Sequence, residues 1–180
     1  MTFSVGIFFQ DPSTDPVADL MANRSQPHKP KADFSLVESC VWDETTWNGK
    51  LRLLHGRKPQ AEVYQGAAKV ADIDFAYMEQ ERRAKLPCYE QAMFDSAIPN
   101  NIFWRVFFDE ETFLELNSHF YTFAVYVVGK GWTFGDYVNH EFDSLEFHNA
   151  LSVWKREYYN RFLKPAIVDG SYLFVGQCRI

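Results

Sequence analysis

The stretch FDSLEFHNALSVWKREYYNRFLKP, residues 142–165, decides how this chain reads. Asp143-Ser144-Leu145-Glu146 spells a capping box. Asp143 is placed to accept from the free N–H groups of a first helical turn, and Glu146 to reach back to the cap's own N–H. Phe142 before the cap and Phe147 behind it suit a hydrophobic staple. Apolar residues then recur at helical spacing: Phe147, Ala150, Leu151, Trp154, Tyr158 and Phe162 fall on one stripe. Pro165 disfavours helix at the residue before it, so the helix is expected to stop at Lys164. A helix over about residues 143–164 follows, about 30 Å long at ~1.5 Å per residue. Its aromatic residues bury ~150–250 Å² each, which makes the stripe the expected spine of the core. A second line, His148, Ser152, Lys155 and Tyr159, is expected to be a solvated flank with snorkelling side chains. Asp143→Ala is expected to cost roughly 0.5–2 kcal/mol through loss of the cap.

Outward from this helix, Phe3 to Phe9 is apolar on both faces and reads as a buried strand. Asp11-Pro12-Ser13-Thr14 is a turn. Asp15 or Thr14 caps a short helix with Pro16 at its first position, running to about Asn23. Residues 24–33, with Pro27 and Pro30, read as an exposed loop. Phe34–Trp42 is a strand, and Leu51–His55 its partner beyond the Asn48-Gly49 turn. Ala67–Leu86 is assigned to helix on its Glu79/Arg83 and Glu81/Lys85 spacing, although Val70–Phe75 also suits a strand. A short helix is expected at Tyr89–Phe94 and a strand at Ile102–Phe108. Asp109 caps a helix through Asn117. Phe120–Val128 is a strand ending at the hairpin turn Gly129-Lys130-Gly131. After the Asp169-Gly170 turn, Tyr172–Cys178 is the last strand. Helices and strands mix without βαβ alternation. The expected fold is α+β, a single domain over residues 1–180, with a mixed or mainly antiparallel sheet packed against the C-terminal helix.

Composition narrows the function classes. Hydrophobic residues make up 47% of the chain, which permits a full core, and aromatics 17%, a surplus available to a core or to a partner. A net charge of −6 disfavours direct nucleic-acid binding, which needs clustered Lys and Arg, and suits a basic protein partner. No apolar run is long enough to span a bilayer, and the first residues lack the basic start of a signal peptide. Cys40, Cys88 and Cys178 form no CxxC pair, so reduced thiols in the cytoplasm are expected. The phosphate-binding, dinucleotide-binding and hydrolase-elbow motifs are missing, and no cofactor is expected.

His140, Glu141 and His148 are the densest metal-capable group. The acids between the histidines already serve as caps and the spacing is not HExxH, so no metal is expected. Glu38 falls on the apolar face of its strand and is expected to pair with Arg52 or Arg105. Together these features favour a cytosolic protein-binding inhibitor, such as an immunity protein that occludes a bacterial toxin. Its acidic contacts would be Asp43, Glu44, Asp72, Asp74, Asp109, Glu110 and Glu111, and its aromatic anchors Trp47 and Trp132 in loops. One alternative is a small enzyme using Glu38, His119, His140 or His148 as acid or base. Another is a ligand-binding protein with an aromatic-lined pocket.

Overall fold

In the computed structural model, which describes residues 2–23, 51–56, 67–84, 110–142 and 144–179, β1 (Thr2–Phe9) is the middle strand of a five-stranded sheet. β1 pairs antiparallel with β5 (Tyr172–Arg179) on one side and parallel with β3 (Ala124–Val127) on the other. β2 (Ala68–Lys69) lies outside β5 and β4 (Gly131–Thr133) outside β3, both antiparallel. The order is therefore β2-β5-β1-β3-β4, and the sheet is mixed and mainly antiparallel, as the α+β reading requires.

Both faces of this sheet are covered by helix. Val5, Ile7 and Phe9 point with Tyr126 and Phe174 toward Leu20 of α1 (Pro16–Ala22). Phe8, Val125, Leu173 and Val175 point the other way, against Phe147, Trp154 and Tyr158 of α4 (Leu145–Tyr158). A strand buried on both faces has no polar alternation, which is why β1 is apolar from Val5 to Phe9. α1 begins as the sequence indicates: Pro16 opens it, and the Asp15 carboxylate accepts from the N–H groups of Val17 and Ala18, both at 3.0 Å. The Gly129–Gly131 hairpin also forms, with Gly129 at φ 78° and Gly131 at φ 94°, values open to glycine at little cost.

Ala67–Leu86 is not one helix. Ala68–Lys69 is strand, Val70–Asp72 a 3₁₀ turn, and α2 begins only at residue 75, running over 75–84. Pairing explains the change. Ala68 lies opposite Leu173, the Val70 N–H bonds the Ser171 carbonyl at 2.9 Å, and Val70 is fully buried, so sheet contacts override helix propensity. Leu51–His55 contributes an antiparallel bridge from Leu53 to Ile73. The loop at 24–33, the strands at 34–42 and 102–108 and the short helix at 89–94 lie outside the described residues. α3 (Glu110–Ser118) follows the expected course.

The long helix differs from expectation at both ends. Asp143 lies outside the described residues, and the cap is Ser144: its Oγ accepts from the Phe147 N–H at 3.1 Å. Ser144's own N–H goes to the Glu141 carbonyl at 3.0 Å, and the expected reach of Glu146 back to the Asp143 N–H lies outside the described residues. The staple does form, with the Phe142 and Phe147 rings 5.2 Å apart. Ser144→Ala is expected to cost about 0.5–2 kcal/mol, read as a lower urea midpoint at unchanged slope. An unaltered midpoint would show that the cap is dispensable. At the other end, Pro165 does not stop the helix. A π turn (Tyr159–Leu163), in which the Lys164 N–H bonds the Tyr159 carbonyl, leads into α5 (Lys164–Val168). Pro165 thereby sits in the first turn of a new α segment, where its missing N–H is no loss.

The second line of this helix is not solvated. His148, Ser152 and Lys155 are buried, and of that line Tyr159 faces water. The C-terminal part of α3 and the residues after it cover this side: Lys155 Nζ donates to Asn117 Oδ1 at 2.9 Å and lies 4.8 Å over the Tyr121 ring. Ser152 Oγ donates to the His148 carbonyl at 2.8 Å. Among the described residues no helix is long and apolar enough to cross a membrane.

Candidate functional site

Residues 51–54 and 72–74 are laced together beside β2. The Leu54 N–H bonds the Asp72 carbonyl at 2.8 Å, and the Asp74 N–H bonds the Arg52 carbonyl at 2.7 Å. Period-two alternation turns Leu51 and Leu53 toward the core and Arg52 and Leu54 outward. Asp74 then starts α2, its Oδ1 accepting from the Tyr77 N–H at 3.0 Å, as an acid at a helix start should. This cap fixes Tyr77 on the outer face of the first turn while Met78 next to it is buried.

The result is a compact surface over a rigid base. Tyr77 is 37% exposed and Leu54 39% exposed, and the Arg52 guanidinium lies 4.0 Å from the Tyr77 ring centroid. Beneath them Ile73 and Met78 are buried, and the Arg52 N–H points at Met78 Sδ, 3.4 Å away. An exposed cation–π pair contributes ~0.5–1 kcal/mol, which biases the ring and the guanidinium toward this arrangement before a partner arrives. Tyrosine and arginine are the residue types that most often anchor protein contacts.

Of the acidic residues singled out in the sequence, Asp72 and Asp74 belong to this surface. Glu111 sits exposed on α3, and Glu110 begins that helix. Asp43, Glu44, Trp47 and Asp109 lie outside the described residues, as does Glu38. Trp132 is not in a loop. It occupies β4, half-buried, with its ring 5.3 Å from Tyr126 and stacked 5.6 Å from Phe134. β2 and β4 are opposite edges of the sheet, four spacings of ~4.8 Å apart or roughly 19 Å. The Asp72–Asp74 surface and Trp132 therefore belong to different sides of the molecule.

The histidines have separate partners. His119 stands between Glu79 and Glu115, with nitrogen–oxygen distances of 3.8 and 3.9 Å. His140 Nε2 is 3.2 Å from Asp136 Oδ2. Asn139 and His140 both bond the Asp136 carboxylate and hold it below the usual range. His148 is buried against Phe147, ring centroids 5.4 Å apart. Among the described residues no three His, Cys, Asp or Glu side chains are grouped to hold a metal ion.

Leu54 and Tyr77 were not singled out from the sequence, and Arg52 only as a possible pairing partner for Glu38. The signal was present in the alternation of Leu51 to Leu54, which marks the outward residues of a half-buried extended segment. Their meeting with Tyr77 depends on the bridge to Ile73, which no local pattern announces. Comparison with protein-family models, curated proteins and solved structures finds no match to this chain.

Proposed function

We propose that this chain is a cytosolic protein-binding inhibitor, of the immunity-protein kind that neutralises a bacterial toxin by occluding it. The Arg52–Leu54–Tyr77 surface is the contact. The observation that carries this reading is the exposed Tyr77 ring held under Arg52 on a base of buried Ile73 and Met78. A preorganised aromatic–arginine pair loses little conformational freedom on docking, so more of its contact energy appears as affinity. Asp72 and Asp74 flank the pair, and the net charge of −6 draws a basic partner at long range.

The test is affinity capture from the source cell with wild type and Tyr77→Ala, followed by binding measured with the purified partner. Wild type is expected to retain a basic protein, and Tyr77→Ala to weaken the complex by about 2 kcal/mol, roughly 30-fold in Kd. The free variant is expected to unfold within about 0.5 kcal/mol of wild type, as an exposed substitution should. Added salt should slow association, because charges beyond ~8–10 Å are screened. A basic partner held equally well by Tyr77→Ala, or the failure of any to bind, removes the reading.

A further inference from the structure

β1 and β3 lie side by side and parallel, with Val5 opposite Ala124 and Phe8 opposite Val127, so their carboxyl ends open at the same edge of the sheet. In open sheets the crevice beyond the carboxyl ends of parallel strands is a recurrent ligand position. Here that edge holds a pocket of about 430 Å³, within the ~300–1,000 Å³ range of small-molecule sites. The Val128 N–H, bonded to the Phe8 carbonyl at 2.9 Å, carries the ladder one residue past β3 into the pocket wall. Across the opening runs the π turn, which places Arg161 and Phe162 on the pocket lining. π turns are rare, and many of them sit at functional sites.

The chemistry of the lining is specific. Phe8 and Phe162 form its apolar wall, their rings stacked 6.4 Å apart. The charged groups are Arg161, Lys130, Asp11 and Asp169, both signs in one small space. Arg161 presents its guanidinium to the Trp154 and Phe162 rings at 5.5 and 5.3 Å, and Asp11 Oδ1 already accepts the N–H and Oγ–H of Ser13 at 2.9 and 2.7 Å. Among the described residues no carboxylate lies within ion-pair distance of Arg161 or Lys130. A simple anion would meet two acids here, and a simple cation two bases. A zwitterion with an apolar body meets a counter-charge at each end and stacks between.

The geometry points to a binding site for a free amino acid with an aromatic or large apolar side chain, its carboxylate on Arg161 and Lys130, its ammonium on Asp169, and its side chain against Phe8 and Phe162. This site is independent of the Tyr77 surface. The experiment is calorimetric titration with L-phenylalanine, 3-phenylpropanoate and phenethylamine. The two analogues lack the ammonium and the carboxylate respectively. L-Phenylalanine is expected to bind about tenfold tighter than either, one charge-assisted contact being lost in each analogue. Arg161→Gln should weaken L-phenylalanine by about tenfold and leave phenethylamine unchanged, while Asp169→Asn should weaken L-phenylalanine and leave 3-phenylpropanoate unchanged. Both positions are exposed, so unfolding midpoints should match wild type. Undetectable binding of L-phenylalanine, equal binding of all three compounds, or insensitivity to Arg161→Gln would overturn the assignment.

Discussion

Trp154→Ala is expected to lower stability by about 3–5 kcal/mol, the usual cost of deleting a buried tryptophan side chain. Trp154 is 3% exposed, and its ring meets Tyr137 at 5.9 Å, Tyr158 at 5.8 Å and Phe162 at 5.1 Å. Its indole N–H donates to the Thr122 carbonyl at 2.8 Å. The substitution therefore opens a cavity where the helix meets the sheet and strands a buried carbonyl. Against a total of ~5–15 kcal/mol the loss is a large fraction, and the melting temperature should fall by roughly 6–20 °C. Trp154→Phe keeps a ring but not the N–H and should fall between wild type and alanine. A Trp154→Ala protein melting within a few degrees of wild type would mean that the stripe is not the spine of the core.

The second large effect is at Gly6. This residue sits mid-strand in β1, where glycine normally weakens a sheet, and its presence marks a close approach. A Cβ at position 6 would lie 2.9 Å from both Thr122 Oγ1 and the Tyr158 hydroxyl. Those two oxygens are 2.6 Å apart and buried. Thr122 donates to the Ala124 carbonyl at 2.7 Å, which leaves Tyr158 to donate to Thr122. Burial also holds the Tyr158 phenol well above its ordinary titration range, so it remains a donor. Overpacking costs ~1–3 kcal/mol, and a buried hydroxyl deprived of its partner ~1–3 more. Gly6→Val is expected to cost about 2–6 kcal/mol on this basis. A double-mutant cycle isolates the cause: in a Tyr158→Phe background Gly6→Ala should cost measurably less than in wild type. Strict additivity would place the strain elsewhere.

Asp15-Pro16, the apolar run of β1, the Gly129–Gly131 hairpin and the Phe147–Phe162 stripe were all determined by the sequence itself. Each depends on near neighbours or on a period of two or 3.6 residues, and such signals survive without knowledge of what packs above them. The cap shows the limit of local reading: Asp143 and Ser144 are both cap formers, and the two possible starts differ by one residue. Pro165 shows another. Its stop signal is a property of an α-helix, and the π turn before it changes the hydrogen-bond register that the signal presumes.

What only the tertiary structure decided was which element covers which face. Helical spacing makes Lys155 a flank residue, but it cannot say that Asn117 and Tyr121 close over that flank. Nor does any local pattern state that β1 pairs in parallel with β3, that Trp132 and Asp72 end on opposite sheet edges, or that Arg52 meets Tyr77. The same holds for the pocket, where Phe8, Val127 and Arg161 come from separate parts of the chain. Such contacts form because the apolar faces of distant segments are buried together, and that gain belongs to the pair, not to either segment alone.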